Sequence, residues 1–187
     1  MILPDGPPKN RTTDVPFARR RIALFRIHKI RAVALCLRPS PSLPQPKSRS
    51  NPQFESTALR QALKDAGIAY VHEPLLGGLR RAQKDSVNDG WRNASFRGFA
   101  DYMATDDFTR GLGTLLRHAA KTTTAIMCAE AVPWRCHRSL VADALKASGR
   151  HVLHIVSRSQ PSPHRYTPFL RRRRGVLTYP ASAISAR

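Results

Sequence analysis

The segment IMCAEAVPWRCHRSL, Ile126 to Leu140, gathers the residues of this chain best suited to chemistry: Cys128, Glu130, Arg135, Cys136, His137 and Arg138. The apolar run before Cys128 and the amphipathic pattern after Arg138 put them on a strand end, a short loop and a helix start, where sites of open α/β sheets gather. Cys136 in a first helical turn, flanked by Arg135, His137 and Arg138, would have its thiol pKa lowered by the positive local field and act as a thiolate nucleophile. His137 would tune that thiol or transfer protons, and Glu130 would act as a base or orient an arginine. Free backbone N–H groups at the same helix start would cradle a small anion such as a nucleotide or phosphate ester. The expected catalytic set is therefore Cys136, His137 and Glu130, and the expected ligand-binding set is Arg80, Arg81, Trp91, Arg92, Trp134, Arg135 and Arg138.

Plainer readings stand beside these. Cys128 ends an apolar strand and suits a small buried hydrophobe. Glu130 is expected to pair with Arg135 or Arg138, because structural charge networks mimic sites. Trp134 could stack a ring or plug its loop onto the core. His151 and His154 alternate along a strand, so His154 can point at a neighbour. A phosphatase-type loop needs a Cys followed after five residues by Arg, whereas Cys128 is so followed by Trp134, with Arg135 one place late. For zinc, Cys128, Cys136 and His137 are conceivable ligands, but no Cys-x-x-Cys pair accompanies them, so no metal is expected. The sequence names no cofactor.

The elements that must position these side chains follow from periodicity. Leu59, Ala62, Leu63 and Ala66 predict a helix over Thr57–Ala66 that Gly67 stops, and Ile68–Val71 predicts a short buried strand. Leu79–Ala94 is polar and aperiodic, a loop long enough to be functional. Ser95 is expected to cap a helix carrying Phe96, Phe99, Ala100 and Met103, and Thr105 another lined by Phe108, Leu112, Leu115, Leu116 and Ala119. Thr122–Cys128 reads as a buried strand, a helix restarts near Arg135 or Cys136 and stops at Gly149, and His151–Val156 reads as the next strand. Strands separated by single helices imply parallel pairing with crossovers. The expected class is α/β, a single three-layer domain with a mostly parallel sheet, and Val176–Tyr179 as a small edge strand.

A chain of 187 residues, 41% of them apolar, suits one soluble domain. Its net charge of +20 sits mainly at the ends: residues 1–50 carry 11 Lys and Arg against 2 Asp and Glu, residues 51–157 carry 14 against 10, and residues 158–187 carry 7 against none. The expected organisation is an atypical segment over 1–48, an α/β domain over 49–157 and a basic extension over 158–187. A run such as Arg171–Arg174 could grip phosphate, so the competing function is a nucleic-acid-binding module whose basic ends and Arg-rich loop track phosphates while Trp91 or Trp134 stacks on bases. The longest apolar run, Ala32–Leu37, is far short of the roughly 18 residues that span a bilayer, and no signal pattern precedes it. No membrane partner and a cytoplasmic location are expected, with the three cysteines reduced.

The blocks RSNPQF (Arg49–Phe54), AGIAYVHEPLLGG (Ala66–Gly78), NDGWRNASFRGFADYM (Asn88–Met103), MCAEAVPWRCHRSLVADAL (Met127–Leu145) and HRYTPF (His164–Phe169) together resemble the bacterial family known as domain of unknown function 488, over about residues 49–180. The resemblance implies an α/β sheet domain with no established reaction, and Arg80, Arg81 and Cys136–Arg138 facing one pocket. Residues 1–48 depart from the family's strand, helix, strand opening. Their proline-rich, arginine-rich, acid-poor text suggests the hypothesis of a frame-shifted or wrongly started segment, which would leave the sheet short of a strand and make an inactive, degraded relative a third reading. Rereading the gene in the other frames without finding a family-like opening would sink that hypothesis.

Overall fold

The structure, a computed structural model, describes residues 2–3, 32–35, 56–128, 130, 133–156 and 160–183. The AVAL stretch Ala32–Leu35 forms the strand β2. It lies parallel between β3 (Ala69–His72) and β4 (Thr124–Met127), with Ala32 opposite Ala69 and Thr124 and Leu35 opposite His72 and Met127. Ile2–Leu3 (β1) runs antiparallel between β4 and β5 (Leu153–His154), and β6 (Ser162–Pro163) pairs antiparallel with β5. The order is β3-β2-β4-β1-β5-β6.

The fold is therefore mixed α/β. Its sheet is mixed in direction where a mostly parallel one was the expectation, because two residues of the segment expected to be irregular supply an antiparallel strand. β4 and β5 still run the same way, as a helical crossover between them requires, since both oppose β1. Within residues 1–48 the described stretches are thus strands of the sheet; the rest of that segment lies outside the described residues.

Val176–Thr178 (β8) does not extend the main sheet as an edge strand. It pairs antiparallel with β7 (Arg171–Arg173) in a sheet of two strands. The reason is local: Arg174 and Gly175 have φ of 48° and 84°, both in the left-handed region that a two-residue type I′ hairpin turn demands.

The helices follow their caps. α1 (Ser56–Asp65) is followed by Gly67 at φ 69°. α2 (Ala94–Tyr102) starts earlier than expected because Asn93, not Ser95, is its cap: Asn93 Oδ1 accepts from the Ser95 and Phe96 N–H groups at 2.8 and 3.4 Å. α3 (Asp106–Lys121) is capped by Thr105, whose Oγ1 accepts from Phe108 N–H at 3.3 Å, with Asp106 and Asp107 favourably placed in its first turn. A short 3₁₀ turn, Pro133–Arg135, precedes α4 (Arg138–Ala147). Cys136 thus lies just ahead of the helix rather than in its first turn.

Two apolar clusters hold these elements on the sheet. Leu76, Phe99, Phe108, Leu115, Ile126, Leu140, Val141, Leu145 and Tyr179 form one, and Leu59, Leu63 and Ala125 the other. Adjacent residues of a strand point to opposite faces, so Ala125 faces α1 and Ile126 faces α3 and α4. Among the described residues no helix is long and apolar enough to cross a membrane.

Candidate thiolate site

β4 ends at Met127 and delivers Cys128; the entry to α4 holds Cys136 and His137, so the carboxyl end of an inner strand and the helix start meet at two sulfurs. Cys136 is 2% exposed. The buried Arg138 turns back on it, its backbone N–H donating to Cys136 Sγ at 3.5 Å and its Nε–H at 3.3 Å. The same guanidinium donates to the Glu130 carbonyl oxygen, which fixes its angle. His137 Nδ1 lies 3.6 Å from Cys136 Sγ. Hydrogen bonding with Cys128, and after it His137 and Arg138, hold the Cys136 thiol well below the ordinary range against the opposing effect of burial. Cys128 moves the other way, raised by hydrogen bonding with Cys136 and by burial. The arginine's donors point at the Cys136 sulfur, an arrangement that favours the thiolate form of Cys136 over that of Cys128.

His137 is itself positioned from two sides. Its ring centroid is 4.9 Å from that of Phe99. On the other side lies Gly78, where a Cβ would come within 2.5 Å of Nδ1, so only glycine leaves room for the imidazole. The ligand-capable atoms of Cys128, Cys136 and His137 all lie within 4.8 Å of one another, a spacing and donor set that soft divalent ions accept. The positive guanidinium already resting on Cys136 Sγ opposes a cation there.

The remaining sequence candidates scatter. Glu130 is exposed and, among the described residues, its carboxylate forms no ion pair with Arg135 or Arg138; its contribution is the backbone carbonyl. The ion-pair expectation fails because Arg138 is turned inward onto sulfur. Trp134, at 65% exposed, is not a plug on the core, and Arg135 is exposed beside it. The guanidinium of Arg80 lies 3.7 Å from the Tyr102 ring centre, one aromatic contact further along from Phe99, while Arg81 and Arg92 are exposed. Trp91 packs on Phe96, Phe169 and Tyr179 at centroid separations of 4.8, 5.0 and 5.7 Å, so its ring is held within an aromatic cluster. The long loop between Leu79 and Asn93 is stitched down rather than open: Asp101 accepts from Gln83 N–H, the Ser86 hydroxyl and Asn88 Nδ2, and Asn88 Oδ1 accepts from Tyr179 N–H.

The sequence model of the family described as Domain of unknown function DUF488 matches residues 44–145, more than half of the chain and the whole of the site from Gly78 to Arg138. The chain belongs to the DUF488 family. No curated protein and no solved structure matches it. The DUF488 match ends within α4 and so leaves out the HRYTPF block that the sequence resemblance included.

That block nevertheless docks on the DUF488 region through a network that sequence reasoning missed. Asp143, fully buried in α4, accepts from His164 Nε2 at 2.9 Å, Thr167 N–H at 3.1 Å, the Thr167 hydroxyl at 2.7 Å and the Tyr179 hydroxyl at 3.0 Å. Burial, and then the Asp143 carboxylate, hold the Tyr179 phenol well above its ordinary pKa. In a neutral His164 whose Nε2–H faces the carboxylate, Nδ1 accepts, and His154 Nε2, 2.8 Å away, is the donor. His154 therefore does point at a neighbour, and burial together with His164 lowers its pKa to about 4. One signal was available: Asp143 is an acid inside the apolar run Leu140–Leu145, where an unpartnered carboxylate would be costly.

Proposed function

We propose that this DUF488 protein works through a reactive thiol, with the Cys136 thiolate as its nucleophile. The observation that supports this best is the pair of Arg138 N–H groups directed at a buried sulfur. A buried neutral thiol has no use for an inward-turned arginine, whereas a thiolate needs one. The anion held at the start of α4 is then the thiolate itself. A small anionic ligand, nucleotide- or phosphate-like, would instead meet Arg135 and Trp134, which are exposed on the preceding turn. His137 acts beside the sulfur as a positioning group and proton carrier.

The test is the pH profile of iodoacetamide alkylation of the folded, reduced chain, followed by peptide mapping. With Cys136 ionised well below the ordinary thiol value, its rate is expected to stay flat from pH 6 to 8. An ordinary thiol of pKa near 8.5 would speed up roughly a hundredfold over that interval. Arg138→Gln is expected to restore a rising profile, with circular dichroism showing that the variant folds. A wild-type rate that climbs with pH like that of the denatured chain would overturn the reading.

A second reading rests on the hairpin β7–β8. Arg171, Arg172, Arg173 and Arg174 are all exposed on a ribbon with a type I′ turn and form no ion pair among the described residues. Such a ribbon suits a polyanion, nucleic acid included. Arg171 and Arg173 share one face of the strand. Replacing both with Ala is expected to lower the slope of log affinity against log salt for single-stranded DNA by about 1 to 2, measured by fluorescence anisotropy. An unchanged slope would remove the hairpin from the interface.

A further inference from the structure

We propose that Cys128 and Cys136 form a redox pair in which Cys136 reduces a hydroperoxide and Cys128 then resolves the oxidised sulfur as an internal disulfide. This rests on the reading of Cys136 as the working thiolate. Both cysteines are free, and their sulfurs lie within 4.8 Å of one another, at the end of β4 and the entry to α4. Cys136 is nearly closed off from solvent, which favours a small oxidant over bulky electrophiles. Arg138 sets a positive charge against the sulfur, where negative charge is to be passed to a departing oxygen.

The chemistry closes on these groups. The Cys136 thiolate attacks the terminal oxygen of a hydroperoxide; an S–O bond forms, the O–O bond breaks, and the peroxide takes up two electrons. Its other oxygen leaves as alkoxide, or hydroxide for hydrogen peroxide, and takes a proton from solvent to become alcohol or water. Cys136 is left as a sulfenic acid. Cys128 Sγ lies within 4.8 Å of that sulfur, close enough to reach it with a small side-chain movement. Its sulfur attacks the sulfenic sulfur, an S–S bond forms, and the hydroxyl leaves with the Cys128 proton as water. Two equivalents of a small thiol reductant return both groups to thiols and are themselves oxidised to a disulfide.

The test treats the reduced full chain with stoichiometric hydrogen peroxide in the presence of dimedone, which traps sulfenic acid, and maps peptides without reduction. The expected result is a Cys128–Cys136 linked peptide, lighter by two hydrogens, with almost no dimedone on Cys136. In Cys128→Ser the disulfide is lost and dimedone-labelled Cys136 becomes the main product. Sulfenic or sulfinic Cys136 in the wild type without the linked peptide, or a disulfide to Cys36 instead, would overturn the resolving role while leaving the Cys136 thiolate standing. If neither protein is oxidised at Cys136 faster than the denatured chain, the thiolate reading fails together with the redox pair.

Discussion

Asp143→Ala is expected to cost roughly 3–5 kcal/mol, the range found when one partner of a buried ionic or hydrogen-bonded group is removed. The residue has no solvent access, and four donors converge on its two oxygens. Truncation leaves the His164 imidazole, the Thr167 amide and hydroxyl, and the Tyr179 hydroxyl without their acceptor, each stranded donor costing about 1–3 kcal/mol where water cannot enter. A domain with total stability of about 5–15 kcal/mol has little margin for that. The loss is more than local, because the three donor residues lie 21, 24 and 36 positions beyond Asp143 and are joined to α4 through it. Asp107→Ala is the contrast: its partner Arg110 is 69% exposed, the carboxylate itself 52%, and the pair is worth below about 1 kcal/mol. Urea unfolding of both variants checks the difference, and equal midpoints would show that the Asp143 network does not hold the C-terminal segment.

These distances also explain what could be read in the sequence. α3 was legible because its signals are local: Thr105 as cap, two acids in the first turn, and a stripe from Phe108 to Ala119. The gathering of His137 and Arg138 at the Cys136 sulfur was legible for the same reason, since the three residues are consecutive. The Asp143 network was not, because its partners come from another part of the chain. Cys128 shows the boundary between the two cases. Read alone it is a small residue ending an apolar strand, and it comes beside Cys136 only because the fold brings the end of β4 to the entry of α4. The helix start was misplaced because Pro133–Arg135 forms a 3₁₀ turn of its own, so that Cys136 and His137 bridge two helical pieces. Ala32–Leu35 was visible as an apolar run, yet its place between two parallel strands depends on β3 and β4, both far along the chain. Trp91 sits in a polar stretch that suggests a surface loop, whereas Phe169 and Tyr179, distant in sequence, enclose its ring.

Gly98→Ala should destabilise the protein by roughly 2 kcal/mol or more, although alanine is the better helix former by about 1 kcal/mol. Gly98 is buried in α2, and a Cβ there would overlap the Arg80 carbonyl oxygen and come within 2.6 Å of the Arg81 carbonyl carbon and 2.7 Å of the Ala82 nitrogen. These are backbone atoms, so no rotamer change relieves the overlap; the helix and residues 80–82 must separate. The segment is not free to retreat, because Gln83 N–H is bound to Asp101 at 2.8 Å one turn further along the same helix, and Arg80 lies over Tyr102. Separation therefore breaks buried hydrogen bonds as well, and the overpacking and polar costs together exceed the gain in propensity. Gly78, two residues before Arg80, moves with that segment and releases one side of His137, so Cys136 alkylation should also lose its flat pH profile. Gly113→Ala supplies the opposite sign. It too replaces a helical glycine, but the nearest neighbour of the new Cβ is the tip of Arg117 at 3.6 Å, an ordinary contact, and the variant should be more stable by up to about 1 kcal/mol. Melting temperatures that rise for both variants would mean that α2 does not pack as closely on residues 80–82 as the structure places it.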